Sequence, residues 1–242
     1  IFCANEEIIR NYKSIINSKY VKIGSFKNNS INIKRKKKSN HILFLSQYTF
    51  PKKNTNEIFL NNKNINISHN NFYKDDISVL KKLIIFSQNK NIKLYIKLRN
   101  PNSEKEILFY KNNLKTKKIN FLSSKNLNDN YQLIDKAKLV VFLDSYFGYE
   151  AFARGKKIAA FSIRGKKLKL KNANFADNRL PNKGFFWSNQ CTQSDLNKLI
   201  ERVLTISEKG WFRIKRKYEN KIMFYNSNNN IFKKKIKKML NS

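Results

Sequence analysis

Ser145, Gly148 and Glu150 fall close together inside the stretch "LVVFLDSYFGYEAFARGKKIAAF", residues 139–161. An apolar run ends at Asp144-Ser145, a helix-like segment carries Glu150, and a second apolar run spans 158–161. Ser145 and Gly148 are small enough to let a phosphate approach the backbone, and the serine hydroxyl can donate to it. The unpaired N–H groups and partial positive charge of a helix N-terminus suit the same anion. Glu150 lies about one turn into the helix, where a carboxylate can accept from both hydroxyls of a ribose. A nucleoside diphosphate accounts for all three residues together. The plainer alternative is that Asp144-Ser145 caps the helix and Glu150 offsets its dipole.

Other candidates sit at strand ends. Lys97 can meet a phosphate there, or be one more solvated lysine. Ser46 and Gln47, after an earlier strand, have a similar position. Arg154 is expected to pair on the helix surface. His41 and His69 are isolated from any carboxylate or cysteine at ligand spacing, and Cys3 and Cys191 have neither metal-ligand spacing nor the density of a disulfide scaffold. No metal is expected. The segment 164–189 is too long for a plain connection, and its Phe185-Phe186-Trp187 cluster either covers a cleft or plugs the core.

Positioning these groups requires alternating elements. Strands are expected near 20–23, 42–46, 92–97, 119–122, 139–143 and 157–161. Helices are expected at 5–18, 75–88, 103–113, 130–137, 147–154, 195–206, 208–225 and 229–241, with Thr192 or Ser194 capping the sixth. The two acids opening the second, Asp75 and Asp76, suit its dipole. The Asn-rich stretch 54–71 is read as a loop, and the basic run 25–40 as a linker. Strand–helix alternation implies an α/β fold: a Rossmann-like parallel sheet with helices on both faces, binding its ligand beyond the carboxyl ends of the strands.

Composition narrows the partners. The net charge is +35, which ordinarily suggests nucleic acid or an anionic membrane. Yet 42 lysines stand against 9 arginines, beside 37 asparagines and 28 isoleucines. Lys, Asn and Ile share A/T-rich codons, whereas a nucleic-acid reader leans on the arginine fork. The densest basic patch, Lys34 to Lys38, carries no interleaved aromatic residue. No nucleic-acid partner is expected. No run of eighteen apolar residues exists. The chain begins at Ile1, and we expect a fragment lacking its N-terminal part, working in the cytoplasm.

The run "DSYFGYEAFARGKKIAAF" resembles the C-terminal nucleotide-sugar motif of two-domain, GT-B type glycosyltransferases, above all those of bacterial surface-carbohydrate and O-antigen (lipopolysaccharide) biosynthesis. "IGSFKNN" followed by "ILFLSQY" is similar to that group's passage between domains. "YIKLRNP" is similar to a Lys-x-His-Pro segment, with Arg99 and Asn100 where the histidine is expected. A more distant likeness is to UDP-N-acetylglucosamine 2-epimerases, though Tyr146 and Phe147 replace the glycines that those enzymes place against the diphosphate.

The resemblance implies the C-terminal half of a GT-B fold. Residues 1–24 would be the tail of an N-terminal Rossmann-like domain, 25–40 the linker, 41–225 the nucleotide-sugar-binding domain, and 226–242 a basic amphipathic helix. It implies Ser46, Lys97, Ser145, Gly148, Tyr149 and Glu150 as substrate-binding residues. The nucleotide-sugar would be substrate, with no separate cofactor and a polysaccharide or lipid-linked acceptor. The catalytic base would lie outside this chain. Alternatives are a sugar-nucleotide epimerase or a basic RNA-binding protein. The pattern "IFKKKIKKML" further suggests peripheral binding to the anionic inner membrane face.

Overall fold

The computed structural model describes residues 1–33, 39–51, 57–60, 65–116, 119–167, 175–176 and 180–241. The chain opens with β1 (Phe2–Cys3), α1 (Glu6–Lys13), β2 (Val21–Lys22) and α2 (Phe26–Asn29). Next come β3 (His41–Leu45), an antiparallel hairpin of β4 (Glu57–Leu60) and β5 (Ile65–Ser68), and α3 (His69–Asn89). Alternation follows through β6 (Lys93–Lys97), α4 (Glu104–Leu114), β7 (Asn120–Leu122), α5 (Leu127–Lys136), β8 (Leu139–Phe142), α6 (Tyr146–Ala153) and β9 (Ile158–Phe161). The chain closes with α7 (Arg164–Lys167), β10 (Trp187–Ser188), α8 (Gln193–Thr205), α9 (Glu208–Tyr218) and α10 (Asn230–Leu240).

Six described strands form one parallel sheet in the order β10-β9-β8-β3-β6-β7. This is the doubly wound order, in which the chain starts at a central strand, builds to one edge, then returns to build the other. Strands β3, β8 and β9 ("HILFL", "LVVF", "IAAF") are buried along their whole length. They read as continuous apolar runs because helices cover both faces. Helices α3, α4 and α8 pack together on one face. On the other, Arg154 at the end of α6 pairs with Asp135 of α5, and Trp211 of α9 packs edge-on to Phe152 of α6.

The five expected core strands are present, each within a residue of its predicted limits. Five expectations need correction. The stretch read as a loop carries the β4–β5 hairpin, and α3 begins at His69, capped by Ser68 Oγ accepting from the Asn71 N–H at 3.3 Å. Asp75 and Asp76 therefore lie beyond the first turn of α3, not at its dipole. The first helix stops at Lys13, and α9 stops at Tyr218, short of residue 225. The expected linker contains α2, and its basic run 34–38 lies outside the described residues.

The ends of the chain meet. β1 pairs in parallel with β2, and α10 lays Phe232 edge-on against Phe2 and Phe26 at 4.8 and 5.1 Å between ring centres. The Asn5 side chain donates to the Ile222 carbonyl at 2.9 Å, and Asn229 Nδ2 to the Phe26 carbonyl at 2.9 Å. The last helix thus crosses back onto the N-terminal segment. Only part of its apolar face is covered: Ile231, Met239 and Leu240 remain 40%, 60% and 80% exposed.

Candidate functional site

Strands β3 and β8 are neighbours in the sheet, yet the chain leaves them in opposite directions, toward α3 and α6. That divergence opens a crevice beyond their carboxyl ends. A cleft of ≈ 600 Å³ occupies it, and its walls include Ser46, Lys97, Ser145 and Glu150, four of the six residues singled out from sequence. Gln47 and Arg99 join them from the β3 and β6 ends, and Ser25 and Lys27 from the segment around α2.

Glu150 is 5% exposed. Its Oε1 accepts from Ser25 Oγ at 2.5 Å and its Oε2 from Tyr131 O–H at 2.9 Å. Burial pushes the carboxyl pKa up, and those two hydroxyl bonds pull it back. Gly24 lets the chain deliver Ser25. Its φ is +74°, and a Cβ there would lie 2.4 Å from the Phe224 carbonyl oxygen, so only glycine fits. Ser145 occupies the N-cap position of α6 but makes no side-chain capping bond. Its hydroxyl therefore stays available to the cleft, and the capping alternative fails for it.

Lys97 is 8% exposed, and burial lowers its pKa to about 8 although Glu106 pulls the other way. Its Nζ donates to the Leu98 carbonyl at 3.0 Å and stands 5.2 Å from the centre of the Phe147 ring. This is a buried cation lining a cleft, not a solvated lysine. Ser46 lines the same wall, but its hydroxyl is engaged elsewhere. Ser46 Oγ donates to Glu106 Oε1 at 2.5 Å and accepts from Tyr110 O–H at 2.8 Å. Glu106 also takes the N–H groups of Arg99 and Asn100 at 2.9 and 3.0 Å. It thereby pins the loop that follows Lys97 and carries Arg99.

Gly148 and Tyr149 lie outside the cleft lining. A Cβ on Gly148 would stand 2.4 Å from the Phe142 ring, so this glycine lets α6 settle onto β8. Tyr149 packs against Phe142 and Phe175 at 5.7 and 5.5 Å, and burial pushes its phenol pKa well up. Arg154 corrects another expectation. Its side chain is fully buried and makes two bonds to Asp135, at 2.9 and 2.6 Å. It also donates to Asn28 Oδ1, Ile31 O and Asn32 O at 3.1, 2.9 and 3.2 Å. Glu150 and Arg154, one turn apart on α6, thus both grip the segment 25–32.

The aromatic cluster resolves as a core plug. Phe186 and Trp187 are fully buried, with Phe186 stacked on Phe152 at 5.2 Å. His69 Nε2 donates to the Thr49 carbonyl, 2.8 Å away, and His41 meets Ser39 Oγ at 2.5 Å. Sequence reasoning missed Ser25, Lys27 and Tyr131, which reach the cleft from distant parts of the chain. It also missed the buried pair Arg164–Asp76. The acidic residue there was visible but read as a dipole partner.

These features define half of a GT-B enzyme fold, an α/β unit with a six-stranded parallel sheet flanked by helices. The GtfA/B complex is similar over 100% of this chain and 45% of its own, at a TM-score of 0.54 and 11% identity. S. aureus TarM, solved with fondaparinux, alpha-GlcNAc-glycerol and UDP, is similar over 97% of this chain and 42% of its own (TM-score 0.50, 11% identity). The Methanocaldococcus jannaschii UDP-GlcNAc 2-epimerase, solved with UDP-GlcNAc and UDP, is similar over 89% and 59% (TM-score 0.50, 14% identity). The chain spans about half the length of these structures, and at such identities the likeness shows the fold alone. No curated protein matches it in sequence. The chain belongs to the family described as "putative O-antigen biosynthesis protein", which matches residues 1–240.

Proposed function

We propose that this chain is the nucleotide-sugar-binding half of a glycosyltransferase that moves a sugar from a nucleotide-sugar donor to a surface polysaccharide or lipid-linked acceptor. The observation that carries this reading is the placement of Glu150. Its buried carboxylate stands in the crevice at the strand-order switch, in one cleft with Lys97 and the uncapped start of α6. Glu150 would hold the ribose hydroxyls, and Lys97, Arg99 and Ser145 the diphosphate. Gly148 and Tyr149 support these residues from behind. Glu150 is the one carboxylate among the described residues lining the cleft, and no histidine lines it. An epimerase would need both an acid and a base at the sugar from polypeptide outside this chain, whereas a transferase needs only one such base, so the transferase reading is preferred. The base that deprotonates the acceptor would come from polypeptide outside this chain.

The membrane holds a lipid-linked acceptor, and α10 offers a means of approach. Its lysines 233–235, 237 and 238 are exposed beside the open Met239 and Leu240. At about 1 kcal/mol per basic residue near an acidic surface, they would hold the protein reversibly on the cytoplasmic leaflet. Calorimetric titration of the full-length protein with UDP, dTDP, CDP, GDP and ADP tests the central claim. Saturable binding of one of them is expected, and failure of all five removes the nucleotide-sugar reading.

A further inference from the structure

Gln47 follows β3 and lines the cleft, and the ends of its carboxamide have different surroundings. Oε1 lies 3.4 Å from the backbone N–H of Asp144 and 3.2 Å from Arg164 Nη1. Both neighbours can only donate, so the oxygen must be the end that faces them. A flipped amide would set its NH2 against two donors. The nitrogen is therefore turned away from Arg164, on a residue that lines the cleft.

Arg164 is held in turn. It follows β9, its guanidinium lies 4.2 Å above the Phe72 ring, and Nη2 forms an ion pair with Asp76 of α3. Its other amino group reaches Asp144 Oδ2 at 3.4 Å, while Ser162 Oγ donates to Asp144 Oδ1 at 2.9 Å. Residues following β3, β8 and β9 are thus tied to α3 through one buried arginine, whose side chain is 6% exposed. Taking a cation and a carboxylate out of water is costly unless they are well paired. Salt-bridge burial next to a cleft, with one donor of the arginine spent on a neutral amide, makes structural sense when that amide has to be aimed.

We propose that Gln47 is a substrate-contacting residue whose amide donates to an acceptor oxygen of the nucleotide-sugar, and that Arg164 is the positioning residue that aims it. This rests on the nucleotide-sugar reading above. The acceptor is either a diphosphate oxygen, which is charged, or a hydroxyl of the transferred sugar, which is neutral, and an amide N–H can donate to both.

The test is a double-mutant cycle in the full-length protein, read by calorimetry with the best binder among UDP, dTDP, CDP, GDP and ADP, and with its glucose conjugate. Gln47→Met, which keeps the length and loses the donor, should weaken binding about 3- to 10-fold if the acceptor is a neutral sugar hydroxyl and about 10- to 150-fold if it is a charged diphosphate oxygen. Arg164→Met should weaken it similarly in the wild-type background and not at all in the Gln47→Met background. Because Arg164→Met strands the Asp76 carboxylate, Asp76→Asn combined with Arg164→Met serves as the arm that keeps the fold. A loss seen with both probes assigns the acceptor to the diphosphate, and a loss confined to the glucose conjugate assigns it to the sugar; either supports the proposal. Unchanged affinity in Gln47→Met overturns it, as do additive losses in the cycle. If no nucleotide binds the wild type, this proposal and the transferase reading fall together; if one binds and Gln47→Met is silent, only this proposal falls.

Discussion

Glu150 is at once a ligand candidate and a structural clamp, and the two roles separate under substitution. Glu150→Ala removes an acceptor from both Ser25 Oγ and Tyr131 O–H, and leaves a hole at a position only 5% exposed. Each stranded buried hydroxyl costs roughly 1–3 kcal/mol, so the variant should melt at lower temperature. Glu150→Gln keeps the volume and one acceptor, and should be milder. Nucleotide affinity responds differently. If the carboxylate holds the ribose hydroxyls, its loss should weaken binding by roughly 1.5–3 kcal/mol, the range for hydrogen bonds to a charged group. That is about a 10- to 150-fold rise in Kd. Calorimetry below the melting temperature of each variant isolates this effect from stability. Folded Glu150→Ala and Glu150→Gln that bind the nucleotide as the wild type does would refute the ligand role. Glu150 would then be only the residue that fastens Ser25 to α6.

Two further outcomes follow from the geometry. Gly148→Ala places a methyl 2.4 Å from the Phe142 ring, so it should destabilise the fold by about 1–3 kcal/mol through overpacking, read as a lowered midpoint in urea; an unchanged midpoint would mean that α6 is free to shift. Lys97, lowered to about 8 by burial, should be charged below that pH and neutral above it in the free protein. A bound diphosphate favours the charged form, so nucleotide affinity should be full below pH 8 and fall as pH rises toward about 10. Lys97→Met should flatten that limb of a calorimetric pH series, and a limb that persists in the variant would assign it to another group.

Periodicity made the sheet legible. Runs such as "ILFL" and "LVVF" are apolar throughout because both faces of a parallel sheet are covered, and that signal is local. The strands 57–60 and 65–68 were hidden because asparagine, common in loops, crowds that stretch and outweighed the short alternation of "INIS". Glu150 and Ser145 were legible for a similar reason: both belong to one strand–turn–helix unit, whose geometry follows from neighbours in sequence.

What the sequence by itself determined is the alternating α/β architecture, the position of Glu150 on the helix that follows strand β8, and the absence of any apolar run long enough to cross a membrane as a helix. Tertiary structure alone decided which small and charged residues face the cleft. Gly148 looked like a phosphate contact and proves to be where Phe142 needs room. Ser46 looked free and has its hydroxyl taken by Glu106, sixty positions away. Arg154 looked like a surface residue and is the buried anchor of residues 28–32. Ser25 reaches Glu150 across 125 positions of chain. The physical reason is the range of the signals: helix and strand periods are written by residues within a few positions of each other, whereas the partner that satisfies a buried polar group is chosen by packing among segments that sequence spacing does not relate.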